Sequence, residues 1–417
     1  MRKSRSWAAQ SFGFLLIVAS LALGGGLMTA ASPAAADESD IRLGAPISLT
    51  GPFSKSGRYV RDGYEFAVER INARGGILVD GRHHHIVLVY RDDQSEASHA
   101  TTIVEDMLSR DRVQLLLGPY STQLAQAVEP IAERYDVPMV EAGAAGSSLF
   151  KRGYRHLFGL LTTTDHYFDQ LFNVASKEGA PALGKQATEM RVGLAVRDDR
   201  FSQDLRDEVL SEIRKHNMRL VIDDRLPPSP TDMSMTLDRV KRLEPDILVI
   251  SGHEEAALAA IDHIHRQRIQ VPMLAVTHCH SANINQVRPE SSQGVFCPMQ
   301  WHPEVPYRDD VFGSAKDYSS RFAKRYGYAP PNQAAQASAA VLIYLKAIQN
   351  CGSTDPVKVR KALADIRTET FYGPVDFDDT GRNTVKPMLL MQVIDGRYVM
   401  LAPNRGGRTK AVIQPRP

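Results

Sequence analysis

Val113-Gln114-Leu115-Leu116-Leu117-Gly118-Pro119-Tyr120-Ser121-Thr122 is the stretch from which the fold is read. Leu115 to Leu117 is a short apolar run with the character of a buried parallel strand, and the Gly118-Pro119 break ends it. A helical pattern follows, with Leu124, Val128, Ile131 and Tyr135 on one face. Strand, tight turn and helix make half of an α/β unit. Ser121 and Thr122 stand at the helix start, where a hydroxyl either caps orphan N–H groups or joins them in holding a ligand's negative charge. In an open parallel sheet this corner is the carboxyl end of a strand, where small ligands bind.

The same alternation runs outward in both directions. Upstream, Ile41 to Leu49 reads as a strand entering the Thr50-Gly51-Pro52 turn, and Gly57 opens a helix with Val60, Tyr64, Ala67 and Ile71 along one stripe. Ile86 to Tyr90 is a second strand, followed by a helix carrying Ala100, Val104 and Met107. Downstream, Val137 to Val140 is a fourth strand that ends in the glycine-rich loop Gly143 to Ser148, where backbone can approach a ligand closely. A second series begins near Thr162, with strands at Val192 to Val196, Leu220 to Ile222, Ile247 to Ile250 and Met273 to Val276. Helices around 315–326, 334–348 and 357–366 and a hairpin-like pair, 388–393 with 398–401, complete the pattern. The tail from Asn404 to Pro417 is basic and rich in Gly and Pro, and is expected to fray.

A chain of 417 residues suits two α/β domains, each with its own core. The formal charge is +2, and Arg2, Lys3 and Arg5 account for more than that, so nothing calls for nucleic acid. These three basic residues precede an apolar run, Phe12 to Leu23, and an Ala34-Ala35-Ala36 site before Asp37. Residues 1–36 are expected to be a cleavable signal peptide, because the apolar run is shorter than the roughly 20 residues that span a bilayer. The mature protein is then expected to be exported and soluble, beginning near Asp37.

Three cysteines, Cys279, Cys297 and Cys351, are too few for a disulfide scaffold and lack zinc-site spacing. Cys279 and Cys297 either pair in an oxidising compartment or stay free and buried. His83-His84-His85 reads as an exposed turn, and His278-Cys279-His280 ends a strand at the cleft side without an evident third ligand, so no metal is expected. Gln300-Trp301-His302-Pro303-Glu304 follows an apolar strand, and its tryptophan either walls a ligand or packs a hinge. Glycine-rich phosphate fingerprints and G-x-S-x-G elbows are absent, so neither a cofactor nor catalysis is expected.

The ordered set of motifs resembles type I periplasmic binding proteins of ABC transporters, specifically the leucine/isoleucine/valine-binding family and its amide and aromatic-acid relatives. The residues that carry this are Ile47 to Phe53 with Gly57, Ala67 through Ile71-Asn72-Ala73-Arg74-Gly75-Gly76-Ile77, Asp92-Asp93, Gly118 to Thr122, Arg152-Gly153-Tyr154, and Tyr372-Gly373-Pro374 with Phe377-Asp378 and Gly381. The resemblance runs from Ile41 to Leu401. It implies an α/β fold of two doubly wound parallel-sheet lobes joined by three hinge crossovers, near Thr163, Gln300-Trp301 and Phe377. Lobe 1 is then 41–162 plus 301–377, and lobe 2 is 163–300 plus 378–403.

Carried over residue by residue, the resemblance places the carboxylate-holding hydroxyl on Thr122 with Ser121 beside it, and further contacts on Gly143, Ala144 and Ala145. Phe201 and His253 take wall positions, Trp301 is a third wall candidate, and Thr277 probes the far end. The chain departs from the family at several of these. Ala145 stands where a threonine is common, leaving Ser147 or Ser148 to substitute; Ser56 replaces a tyrosine; and Thr277 replaces the acid that receives a ligand's ammonium, a charge threonine cannot supply. Glu254 or Glu255 either stands in for it or serves a helix start. The function implied is a monomeric receptor that binds an amino acid or related small carboxylate and docks on membrane permease subunits of an ABC importer. The alternatives are a ligand-sensing module, and a binder of an amide or aromatic acid in place of an α-amino acid.

Overall fold

The computed structural model describes residues 40–227, 232–403 and 409–414, so the expected signal peptide lies outside the described residues. The first sheet consists of β1 (Ile41–Ile47), β2 (Ile86–Asp92), β3 (Leu115–Leu117), β4 (Met139–Glu141) and β5 (Leu157–Gly159), all parallel, in the spatial order β2-β1-β3-β4-β5. The second holds β6 (Arg191–Arg197), β7 (Arg219–Leu226), β8 (Ile247–Ser251), β9 (Met273–Val276) and β10 (Phe296–Met299), parallel in the order β7-β6-β8-β9-β10. Strands β11 (Leu389–Ile394) and β12 (Arg397–Ala402) extend it antiparallel beyond β10. Both parallel sets therefore share one topology. Strand order reverses between β1 and β3 and again between β6 and β8, and ligands bind in such sheets beyond the strand ends at that reversal.

The strands read as continuous apolar runs because helices cover both faces. Leu115, Leu116 and Leu117 are all fully buried, as are Ile247, Leu248 and Val249. The helices that matter for the site are α1 (Ser54–Asn72), α2 (Ala97–Ser109), α3 (Thr122–Arg134), α4 (Arg200–Lys215), α5 (His253–Arg266) and α6 (Asn332–Cys351). Helix α6 comes from the later half of the chain yet packs on α1 of the first sheet. Ser338 Oγ donates to Gly63 O at 2.6 Å, and a Cβ at Gly63 would meet Ala334 O at 2.3 Å, so glycine is what lets these helices touch.

Three passages join the sheets, and they lie side by side. Gln300, just past β10, exchanges bonds with Thr162 (Thr162 N to Gln300 Oε1 3.1 Å, Gln300 Nε2 to Thr162 O 2.7 Å), while Thr162 Oγ1 donates to Lys386 O at 2.9 Å. Lys386 Nζ donates back to the Gln300 carbonyl, and burial pushes this ammonium down to about 7. The first two passages run through Thr162 and Gln300. The third does not fall at Phe377: Gly159 N donates to Gly381 O, Asn383 N donates to Gly159 O, and Phe377 packs edge-on to Phe158, so the chain stays with the first sheet until Asn383. Unpaired backbone at the edge of β5 draws that segment in.

Two further expectations are corrected. The tail is not frayed at 409–414, where Val412 exchanges bonds with the Gln392 side chain and Ala411 N donates to Glu178 Oε2; 404–408 and 415–417 lie outside the described residues. His83 and His84 belong not to a turn but to a short strand, Arg82–His84, paired with Ile77–Val79 across Asp80-Gly81, both of positive φ.

Candidate functional site

The carboxyl ends of the two parallel sets meet, and the loops leaving them enclose a cavity. The first sheet contributes Tyr120, Ser121 and Thr122 after β3 and Gly143 and Ala145 after β4. The second contributes Phe201 after β6, His253 after β8, and His278, Cys279 and His280 after β9. Asn332, Gln333 and Gln336 at the start of α6 and Leu161, Tyr167, Pro298, Gln300 and Met388 around the passages complete the lining.

Ser121 occupies the N-cap of α3 with extended backbone, yet its side chain makes no capping bond. The capping alternative therefore fails, and the helix's first N–H groups keep their pull on an anion. Thr122 Oγ1 accepts from Gly146 N at 3.1 Å, which fixes the hydroxyl and leaves its proton to donate elsewhere. Beneath them lies Glu141, wholly buried; burial raises its carboxyl to about 8, against the opposing pull of the Gly143, Ala144 and Ala142 N–H groups.

A chain of polar contacts crosses the cavity. Asp199 caps α4 by accepting from Ser202 N at 2.9 Å, and its Oδ2 lies 3.4 Å from Arg197 Nε and 3.5 Å from His253 Nε2. The opposite nitrogen, His253 Nδ1, is 3.0 Å from Tyr120 Oη, and the same Oη is 3.1 Å from His278 Nε2. The two imidazoles lie 4.7 Å apart between centroids, and Phe201 packs edge-on to His278 and Tyr167. Burial and the neighbouring His253 push the His278 pKa below the ordinary histidine value, which keeps its ring neutral.

Two clasps bridge the lobes. Ser56 Oγ on α1 donates to Glu254 Oε1 on α5 at 2.7 Å. Burial disfavours the Glu254 charge, while the His278 and His253 rings when protonated, together with the Ser56 and Ser281 hydroxyls, favour it, and the balance holds its pKa low. Ser148 donates both N–H and Oγ to Asp204 Oδ2 of α4, and Arg200 Nε donates to the same Oγ at 3.1 Å.

The periplasmic binding protein family matches residues 40–397. This chain belongs to that family. Among curated relatives, a Leu/Ile/Val-binding protein homolog 7 of Brucella suis is 21% identical over 389 residues, 91% of this chain and 94% of the relative. A homolog 8 from the same organism is 22% identical over 406 residues, 95% and 98% of the two chains. In fold the binding protein is similar to LivJ of Streptococcus pneumoniae, solved with isoleucine (TM-score 0.75, 20% identity, 86% of this chain and 97% of that one). It is equally similar to a solute binding protein of an ABC transporter from Rhodopseudomonas palustris, solved with 3,4-dihydroxy benzoic acid (TM-score 0.75, 16% identity, 90% and 98%).

Of the candidate residues, Ser121, Thr122, Gly143, Ala145, Phe201 and His253 of this binding protein line one cavity. Three candidates do not line it. Trp301 is fully buried among Tyr318 and Phe371, with Nε1 donating to Phe371 O at 3.1 Å, so it packs the core beside the second passage. Thr277 is buried behind the rim, its Oγ1 3.4 Å from Ser251 Oγ. Ala144 is turned inward, and with Gly143 it directs its N–H toward Glu141, so these donors serve the loop and not a ligand. Ser148 is spent on the Asp204 clasp and cannot replace the missing threonine.

Sequence reasoning placed His278 to His280 at the cleft side but weighed them only as metal ligands, and it missed Tyr120, Tyr167, Gln300, Asn332, Gln333 and Gln336 as lining residues. A signal existed for the last three: polar residues at i, i+1 and i+4 open an otherwise apolar helix. β9 stops at Val276 and His278 takes positive φ, so His278 and His280 do not share a strand face; they pair instead with His253 and His302. Cys279 and Cys297 are disulfide-bonded with Cα atoms 5.9 Å apart, which ties the β9 exit to β10, while Cys351 is free.

Proposed function

We propose that this protein is the periplasmic receptor of an ABC importer, a non-catalytic monomer that captures a small carboxylate, closes its lobes over it and docks on membrane permease subunits. The uncapped Ser121 hydroxyl at the α3 N-terminus, beside the Thr122 hydroxyl, carries the reading. A buried site with free hydroxyl donors and a positive helix end favours a carboxylate. The named relatives are Leu/Ile/Val-binding homologues, and the fold neighbours hold an amino acid or an aromatic acid. Export through a signal peptide accords with the Cys279–Cys297 bridge, since disulfides persist in oxidising compartments.

The solute lacks an α-ammonium and is an amide-bearing, aromatic or aliphatic acid. Among the described residues no Asp or Glu lines the cavity, Asp199 is engaged by Arg197 and His253, and Glu254 is turned to Ser56. An ammonium would be desolvated there without a counter-charge. The test is calorimetry with amino acids and simple organic acids, together with mass spectrometry of whatever copurifies. Organic acids should bind, and Thr122→Ala should weaken them about tenfold or more, the loss of one bond to a charged group. Tight leucine binding abolished by Thr122→Ala but unaffected at Thr277 would refute the missing ammonium, and acid binding that survives Thr122→Ala would refute the carboxylate assignment.

A further inference from the structure

Resting on that reading, the cavity holds a feature that a carboxylate does not use. Gln333, at the start of α6, is 2% exposed and lines the cavity, yet its Oε1 has no hydrogen-bond partner. His278 Nδ1 is likewise buried without a partner. Buried polar atoms are satisfied in native proteins as a rule, so these orphans, brought to one cavity by α6 on one side and the β9 exit on the other, with His280 Nδ1 a third, point to what completes them.

The polar chain across the cavity decides what His278 offers. Asp199 accepts only, so the single ring proton of a neutral His253 sits on Nε2 and Nδ1 is the acceptor. That bare nitrogen takes the Tyr120 hydroxyl proton, and the phenol oxygen must then accept from His278 Nε2–H. A neutral imidazole has one ring proton. With it on Nε2, His278 Nδ1 is an acceptor, the same polarity as Gln333 Oε1.

We propose that Gln333 and His278 form a second recognition element, a pair of neutral acceptors that selects a solute carrying a neutral N–H or O–H donor, an amide or a hydroxyl, besides its carboxylate. Neutral acceptors suit a neutral donor, because an ammonium beside helix N-termini would be repelled. Asp199 and Tyr120 are positioning residues that set the tautomer. Selectivity of this kind is sharp, since a ligand lacking the donor leaves buried acceptors unpaired.

The test uses matched probes that differ in the donor: succinamate against monomethyl succinate, and para-hydroxybenzoate against para-methoxybenzoate, titrated into the purified protein and into Gln333→Met. The donor-bearing member should bind about tenfold or more tightly in the wild type, and that preference should collapse toward unity in Gln333→Met. Equal binding of a pair, or a preference unchanged in Gln333→Met, would overturn the element while leaving the carboxylate reading standing. Failure of every carboxylate to bind would overturn both. Nitrogen NMR of histidine-labelled protein gives an independent readout without any variant. His278 should carry its proton on Nε2, and Tyr120→Phe should release that preference; a proton on Nδ1 in the wild type would sink the assignment.

Discussion

Ser56 Oγ lies 2.7 Å from Glu254 Oε1, so the first turn of α1 on one sheet is bonded to the first turn of α5 on the other across 198 residues of chain. A hydroxyl donating to a carboxylate is a charge-assisted bond, stronger than a neutral pair. Because its two partners sit on different lobes, it counts only when they are together. Ser56→Ala should therefore shift the population toward the open form and lower ligand affinity about tenfold, while thermal stability of the ligand-free protein changes little. Small-angle scattering and calorimetry on the same sample would check both halves.

Trp301 is fully buried between Tyr318 and Phe371. Trp301→Ala should cost about 3–5 kcal/mol of folding stability, as expected for removing a large aromatic from a core. Relative affinities across a ligand panel should be unchanged in the folded fraction. Urea unfolding would measure the first and competition binding the second; a change in ligand preference would return Trp301 to the cavity wall.

Glu141 gives a pH dependence of defined sign. Its folded pKa, raised to about 8 by burial, exceeds the ordinary carboxyl value, so the folded state holds a proton that the unfolded chain has released. Its contribution is complete below the unfolded pKa of about 4.3 and is lost as pH rises through about 8. Glu141→Gln, which mimics the neutral acid, should flatten that part of the profile of stability against pH. Chemical denaturation of both proteins at intervals across this window would show it.

The Cys279–Cys297 bridge closes a loop with a sequence separation of 18. The double variant Cys279→Ser with Cys297→Ser should lose about 3 kcal/mol on the chain-entropy account. Since Cys279 lines the cavity between His278 and His280, ligand affinity should fall as well. Thermal unfolding and calorimetry under oxidising and reducing conditions should show wild type converging on the variant only when reduced.

Much of the architecture was legible in the chain. Leu115 to Leu117, Ile247 to Ile250 and the Ile41 run announce themselves as buried strands because helices cover both sides of a parallel sheet, and a single apolar run records that. β5, only Leu157-Phe158-Gly159, was not singled out, since three residues carry no periodicity. At the site, Ser121, Thr122 and Gly143 follow from the rule that strand ends carry ligands, while Phe201 came from the family resemblance. Thr277 and Trp301 obey the same rule by position and still point elsewhere.

Which faces are apolar, where each strand ends and which loops stand at the sheet reversals can be read along the chain, because those properties depend on neighbours a few residues away. Tertiary structure alone decided which rim side chains meet. Tyr120 and His278 are 158 residues apart, and Ser121's freedom from capping, Glu254's turn toward Ser56 and the arrival of Gln333 from α6 depend on how the two sheets are set against each other. No local pattern encodes that placement, because the contacts that fix it join residues far apart in the chain.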